Sequence, residues 1–227
     1  MSESSTRLER AMNIVLVVCA VLFVAILAKR EFFGATAPAP ESGPPQQVSN
    51  WGELRANGIN VRSPSAPVVV VEFADLECPA CREFNERLKQ TVAEMHANVG
   101  LELVHFPLSI HRFARPAARA LECANAQGAG PAFVDLAYAK QDSFGLKPWR
   151  SYAKDAGVQN IDAFETCAND TAQVARIEEG RRLGEALQIR GTPTVIINGW
   201  RFPGVPNDAQ LRSAIVALSK GDKPPGA

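Results

Sequence analysis

The sequence predicts an α/β fold with a helical insertion, preceded by a single N-terminal transmembrane helix. Two apolar runs, 68–71 and 101–106, flank one amphipathic segment, which makes a βαβ unit with parallel strands and a right-handed crossover. Helical periodicity then continues from 115 to 188 before strand character returns. Residues 12–28 carry no charge, and as a helix they reach roughly 26 Å, which just spans a bilayer core of about 30 Å.

The composition favours no particular class of partner. The 227 residues include 24 basic and 24 acidic side chains, so the formal net charge is zero and neither nucleic acid nor an acidic surface is favoured. Shifts in composition divide the chain into four parts. These are a cytoplasmic tail at 1–11, a transmembrane signal-anchor at 12–28, a proline-rich linker at 29–49 and one globular domain at 50–227.

The uncharged N-terminal segment has a second interpretation, a cleaved secretory signal. Arg7 and Arg10 form a positive region before it, and Ala-Thr-Ala at 35–37 resembles a small-residue cleavage site. The charged residues at 29–31 and Pro38, directly after the cleavage site, fit cleavage poorly. We therefore expect the segment to be retained as an anchor.

The globular domain opens with a short helix predicted at 51–57 and an edge strand at 59–61. The strand that starts at Val68 ends a few residues before Cys78. Pro79 suits the first position of the next helix, where its missing N–H costs nothing. The chain therefore turns from strand to helix at Cys78.

Cys78 and Cys81 form a Cys-x-x-Cys motif at this corner, with Pro79 and Ala80 between them. Cys78 faces the unpaired amides and the positive dipole end of the helix, which lowers a thiol pKa and predicts an attacking nucleophile. Cys81, one turn further along and pointing inward, is the predicted resolving thiol of an intramolecular disulfide.

The rest of the domain is mainly helical and closes with a hairpin and a helix. Glycine or proline separates five helical segments at 115–127, 131–141, 147–156, 161–169 and 171–188. They form the predicted insertion at about 113–189. Asn198-Gly199 between apolar runs predicts a β-hairpin, and an amphipathic pattern predicts a last helix at 208–219.

This order of elements resembles the thioredoxin fold, and the long insertion resembles the DsbA-like branch of its thiol–disulfide oxidoreductases. The resemblance depends on the motif at 78–81 together with Thr192-Pro193, which opens a hairpin strand 111 residues after Cys81. It covers most of 60–220. The chain departs from the strongly oxidising members at Ala80, where they have a histidine that helps to hold the thiolate.

The resemblance also implies roles for residues outside the motif. An acid at the position of Glu72 lies beneath the active site and relays a proton to and from the resolving cysteine. Pro193 is expected to be cis, and the backbone of Thr192 is expected to pair with substrate. The expected substrate-contacting residues are Thr192, Pro193, Pro79 and Ala80. From the residues alone, Glu72 is either functional or a solvated residue at a sheet edge, because a lone buried carboxylate is costly.

Two further cysteines, Cys123 and Cys167, stand alone in predicted helices 44 residues apart. We expect them to form a structural disulfide, with two buried free thiols as the alternative. A third arrangement is a zinc site that joins them to Cys78 and Cys81. The three histidines lack metal-site spacing, so we expect no metal and no cofactor other than a redox-active disulfide.

The predicted activity is the donation of the Cys78–Cys81 disulfide to unfolded exported proteins. A disulfide reductase or isomerase of the same compartment is the alternative, and a binding module stapled by zinc is a more distant one. Because such a disulfide works in an oxidising compartment, we expect the catalytic domain on the periplasmic or extracytoplasmic side of the inner or cytoplasmic membrane. We also expect a monomer. The expected electron acceptor is a membrane thiol oxidase of the DsbB-like or VKOR-like kind.

Overall fold

The computed structural model describes residues 12–23 and 43–227. The contacts within the chain divide it into two compact units, residues 1–39 and 40–227. In the first unit, residues 12–23 are helical and their side chains are exposed. The predicted tail and the predicted linker up to residue 42 lie outside the described residues.

The membrane location predicted from the sequence is contradicted. Among the helices that the structure describes, none has the length and apolar character needed to cross a bilayer. The expectation of a single-pass chain in the inner or cytoplasmic membrane, with its catalytic domain on the periplasmic or extracytoplasmic side, is therefore wrong. Residues 24–28, the remainder of the predicted span, lie outside the described residues.

The second unit combines one sheet with helices on both faces. The strands are β1 (Gln46–Gln47), β2 (Ile59–Arg62), β3 (Val68–Ala74), β4 (Val99–His105), β5 (Thr194–Ile197) and β6 (Trp200–Arg201). The helices are α1 (Trp51–Asn57), α2 (Pro79–Met95), α3 (Ala114–Asn125), α4 (Gly130–Ala139), α5 (Trp149–Asp155), α6 (Ile161–Asn169), α7 (Ala175–Ala186) and α8 (Asp208–Ser219). A 3₁₀ turn follows α4 at Gln141–Ser143. The predicted α/β fold is confirmed.

The six described strands form one mixed sheet in the order β1-β6-β5-β3-β4-β2. β3 and β4 are parallel, as the βαβ pattern predicts, and β3 pairs with β5 in the antiparallel direction. The sheet has short edges, because β1 contains two residues and the pairing of β2 with β4 is interrupted by an irregularity between Asn60 and Arg62. β1 lies within the predicted linker. The sequence does not show this strand because it forms only by pairing with β6.

Alternating residues of β3 pack into two different cores, one on each face of the sheet. Val68 and Val70 pack in a core that contains Phe84 of α2, together with residues of the insertion and of α8. Val69 and Val71 pack in a second core with Leu54 of α1 and Leu183 of α7. Because side chains along a strand alternate between faces, Glu72 points to the same side as Val68 and Val70, towards α2.

The insertion comprises α3 to α7, between β4 and β5. Its observed helices lie within the predicted segments except at their ends. The last predicted segment begins at 171, whereas α7 begins at Ala175, because the backbone is extended at Asp170 and at Val174. A disulfide joins Cys123 of α3 to Cys167 of α6, with 5.9 Å between the two Cα atoms.

Candidate active site

The corner between β3 and α2 places Cys78 at the start of a helix. Cys78 has an extended backbone, with φ −76° and ψ 120°, and Pro79 is the first residue of α2. The residue is 6% exposed, and its Sγ lies 3.3 Å from the carbonyl oxygen of Thr192, to which the protonated thiol donates a hydrogen bond. This arrangement brings the predicted nucleophile against the predicted substrate-pairing residue.

The pKa of Cys78 is lowered from 9.0 to about 5. The largest cause is a hydrogen bond from the thiol of Cys81. The side chain of Thr192 and the backbone amides of Cys81 and Ala80 add to it, against the opposing effect of burial. These amides belong to the helix N-terminus, where a negative charge is stabilised. At neutral pH the sulfur of Cys78 is therefore a thiolate, which is both the reactive nucleophile and a good leaving group.

Cys81 has the opposite environment. It is fully buried, and burial together with the neighbouring Cys78 and Glu72 raises its pKa well above the usual range. The two thiols of one motif thus differ in charge at neutral pH. Cys81 must lose a proton before it can attack a disulfide, so a base is needed beside it.

Glu72 is the candidate for this base. It is fully buried, and burial raises its pKa from 4.5 to about 8, while the thiol of Cys81 and the charge of Arg62 act in the opposite direction. Neither carboxylate oxygen has a well-aligned hydrogen-bond partner among the described residues. A carboxylate with a pKa near neutral can accept a proton from Cys81 or return it.

The peptide bond between Thr192 and Pro193 is cis, and this loop directly precedes β5. Thr194 donates its hydroxyl to the carbonyl of Gly191 at 2.9 Å, which closes the loop around the proline. The predicted substrate-contacting residues Thr192, Pro193, Pro79 and Ala80 therefore belong to two segments that meet at Cys78.

Asp75 is a site residue that the sequence analysis missed. Its buried carboxylate accepts hydrogen bonds from the backbone N–H of Glu77 at 2.8 Å and of Leu108 at 2.9 Å. The Nδ1 atom of His111 lies 2.8 Å from the same carboxylate. These contacts fasten the turn before Cys78 to the loop after β4. The available signal was an aspartate directly after a buried strand and three residues before a reactive cysteine.

Gln141, in the 3₁₀ turn after α4, was also missed. Its buried side-chain amide donates to the carbonyl oxygens of Leu76 at 2.8 Å and of Cys78 at 3.0 Å. The insertion thus holds the backbone on both sides of the corner. Nothing in the local sequence distinguishes this glutamine from a solvated one, because its partners are 65 and 63 residues away.

The other cysteine pair lies apart from this site. Because Cys123 and Cys167 are bonded to each other, they do not complete a four-thiolate zinc site with Cys78 and Cys81. Among the described residues, no group of three or more His, Cys, Asp or Glu side chains has an arrangement that could hold a metal ion. The reactive group that the structure presents is the Cys78–Cys81 pair.

An ionised thiol at a helix start, a buried thiol one turn away and a titratable carboxylate beside it suit one reaction. In this arrangement a thiolate at Cys78 can exchange with a disulfide, and a thiol at Cys81 can close or open the bond to it. The fold and the site together define a thiol–disulfide oxidoreductase, an enzyme of dithiol–disulfide exchange.

Comparison with known proteins gives the family. A family profile described as Thioredoxin matches residues 57–217, and the chain belongs to this family. A thioredoxin-like oxidoreductase from Silicibacter pomeroyi is 25% identical with a TM-score of 0.59, and the match covers 72% of this chain and 93% of that one. DsbA2 of Pseudomonas aeruginosa is 28% identical with a TM-score of 0.53, and the match covers 71% of this chain and 96% of that one.

Curated relatives add an unexpected context. A protein of Salinispora tropica named Na(+)/H(+) antiporter NhaA 3 is 32% identical over 160 residues, which is 70% of this chain and 24% of that protein. The chain spans about a quarter of the length of the curated relatives it matches. The similarity therefore concerns the thioredoxin-like part and carries no activity from the rest of those proteins.

Proposed function

We propose that the chain is an oxidase that introduces disulfides into other proteins through Cys78-Pro79-Ala80-Cys81. The observation that carries the proposal is the low pKa of Cys78, about 5. A stabilised thiolate favours the reduced form of the pair and so makes its disulfide a stronger oxidant. A shift of about four pKa units, at about 30 mV for each unit, corresponds to a change in potential on the order of 100 mV.

In the oxidising direction, a thiolate of the client protein attacks Sγ of Cys78 in the Cys78–Cys81 disulfide. The bond between the two cysteines breaks, and the sulfur of Cys81 leaves with the electron pair. Because burial disfavours a thiolate at Cys81, the protonated carboxyl of Glu72 supplies a proton to it. A second client thiolate then attacks the client sulfur of the mixed disulfide, and Cys78 leaves as its stable thiolate.

The regenerating direction uses the same groups in reverse. The thiolate of Cys78 attacks the disulfide of a thiol oxidase, which acts as the electron acceptor. Glu72 takes the proton of Cys81, and the resulting thiolate attacks Sγ of Cys78 and releases the acceptor's thiolate. The disulfide of the chain is thereby restored without a bound cofactor.

We infer that clients bind as extended, unfolded segments. The backbone of Thr192 lies against Cys78 and belongs to the segment that leads into β5, so it is placed to form a short antiparallel bridge with residues beside the client cysteine. Such pairing reads the client's backbone and not its side chains. The site therefore suits many client proteins in preference to one folded partner.

The redox potential of the Cys78–Cys81 pair tests the proposal. The full chain, with the exposed Cys19 replaced by serine, is equilibrated with glutathione buffers, and we expect a potential less negative than about −200 mV. A value near about −270 mV, that of thioredoxin, would support a reductase. A chain that rearranges a scrambled protein faster than it oxidises a reduced dithiol peptide would be an isomerase.

A further inference from the structure

The insertion helix α4 lies beside the active-site helix α2 and runs in the opposite direction. Arg62 of β2 donates to Asp135 of α4 at 2.9 Å and to Asn85 of α2 at 3.1 Å. Gln141, just after α4, donates to the carbonyl of Cys78, just before α2. The C-terminal end of α4 therefore lies at the N-terminal end of α2.

Tyr138 lies between these two links. It is one turn beyond Asp135 on α4, and Cys81 is one turn before Asn85 on α2, so the two residues lie at the same level of the two antiparallel helices. Tyr138 is 2% exposed and belongs to the same buried core as Cys81. Its hydroxyl has no hydrogen-bond partner among the described residues. The two carboxylate oxygens of Glu72 also lack a well-aligned partner there.

The surroundings of Tyr138 keep its hydroxyl protonated. Burial raises its pKa well above the usual range, and the nearby groups Glu72, Cys81, Asp75 and Cys78 raise it further. A phenol that stays neutral can donate a hydrogen bond throughout the working pH range. Buried polar groups find partners directly or through a buried water. Here a buried donor without a partner and a buried carboxylate without a well-aligned partner lie close enough to act on each other electrostatically.

We propose that Tyr138 is a positioning residue of the redox centre, whose hydroxyl binds the Glu72 carboxylate directly or through one water and so controls when Cys81 exchanges its proton. The proposal depends on the proton role of Glu72 proposed above. In the closing step, the proton of Cys81 passes to Glu72, and Sγ of Cys81 attacks Sγ of Cys78. The bond from Cys78 to its partner breaks, and the partner's thiolate leaves. Tyr138 neither gains nor loses a proton.

The other groups that act on Glu72 come from several elements. They are Cys78 and Cys81 at the start of α2 and Arg62 of β2. Asp75, directly after β3, acts on the Tyr138 hydroxyl. The adjacent strands place uncharged residues opposite Glu72, Leu103 on β4 and Val195 on β5. A hydrogen bond from Tyr138 favours the charged carboxylate, as the Arg62 cation does.

The variant Tyr138→Phe removes one oxygen atom and leaves the packed ring in place. The insertion supplies a matched control in Tyr152→Phe. Tyr152 is also 2% exposed, and its hydroxyl also lacks a partner among the described residues. Burial alone raises the pKa of Tyr152, so no group of the redox centre acts on it.

Both variants are made in the full chain carrying Cys19→Ser and are reduced. They are then mixed with one equivalent of the aromatic disulfide dithiobis(nitrobenzoate), whose released thiolate is coloured. Attack by Cys78 releases the first chromophore, and closure by Cys81 releases the second. We expect Tyr138→Phe to move the pH of half-maximal rate of the second phase upwards by about one unit, the effect of losing one hydrogen bond to a charged group. The first phase should not change, and Tyr152→Phe should change neither phase.

The outcomes separate this inference from the proposed function. No shift for Tyr138→Phe, or an equal shift for Tyr152→Phe, overturns the role of Tyr138. Glu72→Gln should abolish the pH dependence of the second phase, and Tyr138→Phe should have no further effect in that background. If Glu72→Gln leaves the second phase unchanged, the proton role of Glu72 fails and the role of Tyr138 fails with it.

Discussion

The two cysteine pairs of this chain differ in state, because Cys78 and Cys81 are free thiols whereas Cys123 and Cys167 form a disulfide. Their positions on helices differ as well. Cys78 stands at the N-terminus of α2, where amides and the positive dipole end stabilise a thiolate. Cys123 and Cys167 lie in the last turns of α3 and α6, where the negative end of the helix dipole disfavours a thiolate. The same side chain is thus an exchanging group at one helix end and a structural link at the other.

The two pairs also differ in the chain that they close. Cys78 and Cys81 enclose two residues, so their disulfide restricts the unfolded chain little. Opening it therefore costs the fold little stability. Cys123 and Cys167 are 44 positions apart and tie α3 to α6 within the insertion. That insertion carries Gln141 and Tyr138 to the redox centre. The structural pair therefore supports the exchanging pair without sharing its chemistry.

The largest expected effect comes from removing one or the other sulfur of the motif. Cys78→Ala should lower disulfide exchange by at least about three orders of magnitude, because the nucleophile is lost. Cys81→Ala should trap mixed disulfides with client proteins, which non-reducing electrophoresis and mass spectrometry would detect. The double variant Cys123→Ala/Cys167→Ala, which leaves no unpaired thiol in the insertion, is the control and should trap none. Faster labelling of Cys81 than of Cys78 by iodoacetamide in the reduced chain would reverse the assignment.

The pH dependence of alkylation gives the next largest difference. Because the pKa of Cys78 is about 5 instead of 9.0, its alkylation rate should be half-maximal near pH 5 and fall as the pH is lowered through that value. The same thiolate stabilises the reduced fold fully above the unfolded pKa, and this contribution is lost as the pH falls through about 5. The Cys78→Ala chain provides the background rate. A midpoint of the alkylation rate above pH 8 would show that the start of α2 does not stabilise the thiolate of Cys78.

Loss of the structural pair should affect stability and leave exchange intact. Replacing both Cys123 and Cys167 by alanine opens a loop of about 45 residues, which corresponds to roughly 4 kcal/mol in the chain-entropy model. The melting temperature should fall by roughly 10 °C for a domain of this size. Oxidation of a dithiol peptide at a temperature where the variant is folded should stay within about twofold of the parent. A larger loss of exchange at unchanged stability would show that the insertion acts on the redox centre through this link.

The smallest effect concerns Ala80, between the two exchanging cysteines. Ala80→His should stabilise the thiolate of Cys78 and make the disulfide more oxidising by some tens of millivolts, since about one pKa unit corresponds to about 30 mV. Equilibration with glutathione measures the change, and Ala80→Gln controls for side-chain size. An unchanged or more negative potential would show that this residue does not tune the pair.

Much of this fold can be derived from the sequence because its signals are local. The apolar run at 68–71, the proline after Cys78 and the Asn198-Gly199 turn each determine an element by short-range physics. Thr192-Pro193 was placed at the site by resemblance, since the chain chemistry alone favours a trans bond.

The parts that sequence reasoning missed are long-range. Asp75 needs the loop after β4, Gln141 needs the corner that precedes α2, and Tyr138 needs the antiparallel packing of two helices. Each is an ordinary polar residue until distant backbone or side chains surround it. The predicted transmembrane helix is a different case. It depended on an uncharged run of 17 residues, which is at the lower limit of length for a span, and no helix among the described residues could cross a bilayer.

The two short edges of the sheet have a consequence for the proposed function, in which the clients are unfolded chains. An extended polypeptide readily adds as an extra strand to a long, regular edge, and this is a common route to aggregation. Here one edge strand contains two residues, Gln46 and Gln47, and the pairing of the other edge strand is interrupted between Asn60 and Arg62. Under the proposed function, a client released from Cys78 would find little main chain to pair with. It could leave without starting an aggregate on the sheet edge.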